Sequence, residues 1–193
     1  IELKMKVIQL NQEEKQLIML AVENNRQAQQ QIYAKFSSKM LSVCRQYIKD
    51  IHHAEDVMIT GFMKVFTNLK SFEHKGSFEG WIRRIMIYEC IDFLRVKKNN
   101  FNHQDIDDVT VSENESVYEM EDFSVDDIQN MIDNLPDGYK MVFNLYAIEG
   151  YKHQEIAEML KINEGTSKSQ LSHARKLLQQ QISDLKKKLN GTK

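Results

Sequence analysis

The chain has 193 residues, with 26 Lys and Arg against 28 Asp and Glu, seven Gly, one Pro and two Cys. So little Gly and Pro excludes a turn-rich, sheet-dominated fold and favours long helices. Two cysteines, Cys44 and Cys90, each inside an apolar pattern, give no disulfide framework and read as buried thiols of a reducing compartment. No apolar run is long enough to span a membrane and the first residues lack a signal-peptide layout, so the expected location is the cytoplasm, without membrane insertion.

Residues 1–22 suggest a first helix, with Leu10, Leu17, Ile18 and Leu20 apolar. Ile32, Phe36, Met40, Val43 and Tyr47 recur at steps of three and four, which predicts an amphipathic helix over roughly 25–49. Ala54, Val57, Met58, Gly61, Phe62, Val65, Phe66 and Leu69 repeat the pattern, with Glu55 and Asp56 at one end. Residues 71–77 form a loop carrying Phe72, Lys75, Gly76 and Ser77. A third helix starts at Phe78 and runs through Trp81, Ile82, Ile85, Tyr88 and Ile91 to about Lys98. Arg83, Arg84 and Lys97 are interleaved with these aromatics, and cations beside rings are what single-stranded DNA binding needs. Trp81 and Phe78, at helical spacing, read as core. Phe72, in the loop, reads as a platform for an unstacked base.

Between residues 99 and 139 there is no Lys or Arg, and twelve of the 28 acids lie there. The remaining 16 acids face all 26 cations, so the rest of the chain carries +10 while the whole carries −2. That asymmetry points to nucleic acid. Residues 99–123 show no sustained period and read as a flexible acidic linker between two small helical domains, 1–98 and 124–193. Ser124 is placed to cap a helix over 125–134, with Asp126 and Asp127 favourable in its first turn. Pro136 then breaks the chain, and a helix follows to about Ile148.

The last segment has the layout of a helix-turn-helix. A short helix with Ile156, Ala157 and Leu160 meets a tight break, Lys161-Ile162-Asn163, and a longer helix starts at Glu164-Gly165-Thr166. Ser167, Leu171, Ala174 and Leu178 define its buried stripe. The opposite face carries Gly165, Thr166, Ser169, Ser172, His173 and Lys176, with Lys168 and Arg175 at its edges. Hydroxyls and a His suit base edges, and Lys and Arg suit phosphates. Asn163 is a candidate N-cap. His52, His53, Glu55 and Asp56 lack metal-ligand spacing, and no phosphate loop or catalytic constellation is present, so no metal, cofactor or enzymatic activity is expected.

On these residues the chain resembles the bacterial extracytoplasmic-function (group IV) sigma factors. Ala54-Glu-Asp-Val through Phe66 is similar to the family's region 2.2, Phe78 to Arg95 to regions 2.3 and 2.4, and Asn134-Leu-Pro to Leu178 to region 4. The resemblance implies a promoter-specificity subunit whose partners are core RNA polymerase, promoter DNA and an anti-sigma factor. It implies that Gly165, Thr166, Lys168, Ser169, Ser172, His173, Arg175 and Lys176 meet the −35 element. Phe72, Lys75, Ser77, Arg83, Arg84 and Lys97 would meet the melted −10 strand, and Glu55, Asp56, Ile59, Thr60 and Met63 would dock on the polymerase. The family usually has Gln-Glu where this chain has Ile59-Thr60, and Lys152 stands where a capping Ser is common. The alternative is a stand-alone helix-turn-helix regulator that binds duplex operator DNA, which would not need the basic-aromatic block near the N-terminus.

Overall fold

The computed structural model describes the backbone of residues 2–100 and 123–190, and side chains over 12–96 and 123–187. The expected linker, 99–123, thus lies almost entirely outside the described residues. Those residues are all-α, with no strand among them: α1 (Glu2–Val22), α2 (Arg26–Tyr47), α3 (Ile51–Asn68), α4 (Phe78–Asn100), α5 (Val125–Asp133), α6 (Asp137–Phe143), α7 (His153–Leu160) and α8 (Glu164–Asn190). A 3-10 turn, Leu69–Ser71, extends α3, and a π turn, Asn144–Ile148, extends α6. The chain divides into two compact units, Ile1–Cys90 and Ile91–Lys193. No helix among the described residues is long and apolar enough to cross a membrane.

In the first unit α2 packs against α1 and α3. The Asn25 side chain accepts the Ala28 N–H at 3.1 Å and starts α2, which buries Ala28, Ile32, Phe36, Met40, Val43, Cys44 and Tyr47. Asp50 does the same for α3 by accepting the His53 N–H at 2.9 Å, so that helix begins three residues before Ala54. This hydrogen bond holds the Asp50 carboxyl below its ordinary range. Helix α3 meets α4 closely at Gly61, where a Cβ would collide with the Met86 sulfur. Beside that contact Lys64 reaches Glu89 of α4, whose side chain is 8% exposed. Cys44 and Cys90 are both fully buried. A hydrogen bond to Cys44, and then burial, push the Cys90 thiol well above its usual range.

In the second unit Ser124 caps α5 as its sequence predicts. Its hydroxyl accepts the Asp127 N–H at 3.1 Å, and the Asp127 carboxylate accepts the Ser124 N–H at 3.1 Å, a reciprocal box. The bond from the Ser124 hydroxyl, with that backbone bond, holds the Asp127 carboxyl low. Helices α6 and α7 both pack on α8 around Val142, Leu145, Ile156, Met159, Leu171 and Ala174. Two details depart from the sequence pattern. The helix after Pro136 does not stay α to Ile148 but widens into the π turn over its last five residues. In α7 the inward pair is Ile156 and Met159, while Ala157 and Leu160 are half-buried. Lys161 closes α7 in the left-handed region, at φ 57°, and turns the chain into α8.

The close approach at Gly61 sets a test. Gly61→Val should cost about 1–3 kcal/mol, because Met86 is fully buried and has little room to yield. Gly76→Ala, at a loop position with open space around it, should stay within about 0.5 kcal/mol of the parent. Chemical denaturation of the two variants checks this. Equal stabilities would mean that the Met86 side chain repacks to admit the larger residue.

Candidate nucleic-acid interface

Helix α8 is anchored by Ser167, Leu171 and Ala174, which are 0%, 4% and 0% exposed. Leu178, expected in the same stripe, is half-buried. The Asn163 carbonyl accepts the Ser167 N–H at 3.1 Å, so the first helical bond begins where the sequence places the cap. With that stripe inward, Gly165, Lys168, Ser169, Ser172 and Arg175 are exposed, and Thr166 and Lys176 are half-buried. The Ser169 hydroxyl donates to the Thr166 carbonyl at 3.0 Å. Lys168 is held by Glu164 at 2.6 Å, a bond that also lowers the Glu164 carboxyl.

His173 differs from its expected place on the open face. It is half-buried and stacks on Tyr139 of α6, with ring centroids 5.5 Å apart and planes 15° apart. Helix α6 packs on α8 along this side, and the Gln170 amide lies 3.3 Å from where a Cβ on Gly138 would stand. The centre of the open face is therefore small: Gly165, Ser169 and Ser172.

Two residues with no assignment from sequence join this surface. Tyr146 of the π turn stacks on His153 at 4.6 Å, and the Arg175 guanidinium lies over the Tyr146 ring at 5.7 Å. His153 Nδ1 lies 2.9 Å from the hydroxyl of buried Ser167. No residue spacing announces this cluster, because its members come from three elements: the π turn, α7 and α8.

In the first unit the loop over 72–77 leads into α4. Phe72 is half-buried, 5.1 Å from Phe78 and 5.5 Å from Trp81, with His74 4.6 Å away. Lys75 is exposed and bridges Glu73, and the Ser77 hydroxyl accepts the Gly80 N–H at 3.0 Å. Trp81 corrects the expectation of a core residue: it is half-buried, stacked on Phe78 at 5.7 Å with planes 14° apart. Phe78 alone takes the core position, at 1% exposure. Phe72 and Trp81 thus form one partly open aromatic surface. Beyond it on α4, Arg83 is half-buried and Arg84 is exposed over the Tyr88 ring at 5.9 Å. The Lys97 side chain lies outside the described residues.

On α3, Asp56, Ile59, Thr60 and Met63 are exposed, and half-buried Glu55 lies 3.8 Å from His52. Ile59 and Met63, one turn apart, are 49% and 66% exposed. They form a small exposed apolar pair beside the Asp56 and Glu55 carboxylates. Among the described residues no group of three or more His, Cys, Asp or Glu is arranged to hold a metal ion.

Comparison with known proteins gives consistent matches to both units. The family described as Sigma-70 region 2 matches residues 32–100, and Sigma-70, region 4 matches residues 125–178. The ECF RNA polymerase sigma factor SigW of Bacillus subtilis is 30% identical over 163 residues, 78% of this chain and 86% of SigW. The ECF RNA polymerase sigma-E factor of Haemophilus influenzae is 23% identical over 184 residues, 88% of this chain and 95% of the relative. Two solved structures share the fold at 19% identity. CnrH in complex with the cytosolic domain of CnrY has a TM-score of 0.51, with 89% of this chain and 97% of that one covered. The sigma factor RpoE in complex with the anti-sigma factor NepR from Bartonella quintana has a TM-score of 0.53, with 80% and 96% covered. Relatives that span both units support the promoter-specificity reading over a stand-alone regulator.

The aromatic arrangement makes a prediction about stability. Phe78→Ala should cost about 3–5 kcal/mol, the range for a large buried ring. Trp81→Ala should cost clearly less, since the ring keeps part of its surface in water, and should leave the unit folded. Thermal unfolding followed by circular dichroism decides. Loss of the fold in Trp81→Ala, with Phe78→Ala tolerated, would reverse the assignment.

Proposed function

The chain belongs to the extracytoplasmic-function RNA polymerase sigma factors, and on that premise we propose which of its residues meets which partner. The protein directs core RNA polymerase to promoters, recognises −10 and −35 elements, assists promoter melting and performs no chemistry of its own. The observation that carries the residue assignment is the open face of α8, small and polar at its centre and cationic at its edges.

We assign 124–193 to the −35 duplex. Ser169 and Ser172, with Gly165 and Thr166, let α8 sit deep in the major groove and present hydroxyls to base edges. Lys168, Arg175 and Lys176 meet phosphates and fix the helix in register. His173, with one ring face against Tyr139, has less of its ring to offer the DNA. Residues 1–98 take the melted −10 strand and the polymerase, and 99–123 tether the two domains. Phe72, with Lys75 and Ser77, receives an extruded base, and Arg83, Arg84 and Lys97 follow the strand backbone. Unstacking a base costs a few kcal/mol, and an aromatic platform returns about 1–3 kcal/mol of it by stacking. The half-open ring of Phe72 suits that role, and Trp81 beside it enlarges the platform. Glu55, Asp56, Ile59, Thr60 and Met63 form the polymerase-docking face of α3. An anti-sigma factor is a further partner: RpoE, of similar fold, is known in complex with the anti-sigma factor NepR. The site of action is the cytoplasm, with the polymerase.

Two experiments test this division. Ile59→Asp with Met63→Asp should abolish capture of core polymerase while leaving thermal unfolding near the parent, since both side chains are exposed. Undiminished capture would remove α3 from the docking face. Phe72→Ala should impair open-complex formation on a duplex promoter, measured by permanganate footprinting, and a pre-melted bubble template should restore part of the loss. An equal defect on both templates would place Phe72 outside strand capture.

A further inference from the structure

The cations at the edges of α8 are prepared for DNA in different ways. Lys168 lies against the Glu164 carboxylate at 2.6 Å, which competes directly with a phosphate. Arg175 lies over the Tyr146 ring and has no carboxylate partner among the described residues. A ring face attracts the guanidinium without neutralising it, so its charge and its N–H donors stay available to an anion.

The ring under Arg175 is itself held. In the π turn the Glu149 N–H donates to the Asn144 carbonyl, five residues back, at 3.0 Å. Leu145 is buried there while Tyr146 keeps 36% of its surface exposed. Its ring is backed by His153, 4.6 Å away with planes 22° apart. His153 is tied in turn to Ser167, whose hydroxyl is 2.9 Å from Nδ1 and whose side chain is fully buried. A buried hydroxyl needs its partner, so this is a fixed point. A chain of contacts thus leaves α8 at Ser167, passes through the first turn of α7 and the π turn, and returns to α8 at Arg175. π turns of this kind recur at functional sites.

We propose that Tyr146 and His153 are positioning residues of the −35 interface, which hold the Arg175 guanidinium ready for its phosphate contact. The inference rests on the reading of Arg175 as a phosphate-contacting residue. A free arginine loses much rotamer freedom when it docks, and one already resting on a braced ring loses less. The gain therefore lies in preorganisation and not in any contact of Tyr146 or His153 with a base.

The test uses the full chain with core polymerase, bound to a promoter duplex at a series of salt concentrations. Arg175→Ala should weaken binding and make the slope of log K against log salt shallower by about 0.9, the loss of one phosphate contact. Tyr146→Ala should weaken binding by about two- to fivefold, the scale of an exposed cation–π contact, and have no further effect when Arg175 is already Ala. Tyr146→Phe should bind like the parent. Tyr146→Leu, which keeps bulk but lacks a π face, should behave like Tyr146→Ala. His153→Asn, which keeps a hydrogen-bonding partner for Ser167 but lacks the ring that backs Tyr146, should weaken binding in the parent and not in the Arg175→Ala background. If Arg175→Ala changes neither affinity nor slope, the phosphate assignment itself fails. The positioning proposal is overturned if Arg175→Ala weakens binding while Tyr146→Ala does not. It is equally overturned if the two losses add in full, or if Tyr146→Leu binds as well as Tyr146→Phe.

Discussion

One stripe of small and apolar side chains governs the second unit of this protein and its proposed DNA face. Ser167, Leu171 and Ala174 seat α8 against α6 and α7, and the rotation they impose decides which residues face outward. Because Ser167 and Ala174 are small, the neighbouring helices come close, and the Ser167 hydroxyl can bond His153 across the gap. Tight packing leaves few alternative rotations of a helix. The open face of Gly165, Ser169 and Ser172 follows from the burial on the other side, as does the position of Arg175 over Tyr146.

Charge organisation is the second constraint. A net charge of −2 conceals a chain that carries +10 once the acidic stretch over 99–139 is set apart. Within the folded units several lysines lie against carboxylates: Lys35 on Glu14, Lys39 on Glu79, Lys75 on Glu73 and Lys168 on Glu164. Exposed pairs of this kind contribute about 0–1 kcal/mol. They orient cations in the free protein and exchange readily for phosphates, whose binding is driven by counterion release. Lys64 differs, because Glu89 is nearly buried and the pair joins α3 to α4 at the Gly61 contact. That pair links the proposed polymerase-docking helix to the proposed strand-capture helix through rigid packing.

Most of the architecture was legible because it rests on local signals. Apolar periodicity placed α2, α3 and α4, and Ser124 and Pro136 marked helix starts that the structure uses. Lys161-Ile162-Asn163 marked the turn of the helix-turn-helix. What sequence could not supply was side-chain placement decided by neighbours distant in the chain. Trp81 shares the period of the core residues, yet Phe78 occupies the interior and leaves Trp81 at its edge. His173 falls on the outward arc of α8, yet Tyr139 lies beside it. Tyr146 looks like one more residue of a helix, yet it lies in a π turn with Arg175 of α8 over its ring. Each difference lies in side-chain contacts that a helical period alone does not specify.

On this reading the chain confers promoter choice on a polymerase and does not act on duplex DNA by itself. The most direct measurement is run-off transcription from a library of promoters with randomised −35 and −10 elements, using core polymerase with and without the chain. Transcripts are expected only when both are present, with enrichment at both elements and with Ser169→Ala or Ser172→Ala altering only the −35 preference. Tight, sequence-specific duplex binding by the chain alone, with core polymerase adding neither affinity nor transcription, would contradict it.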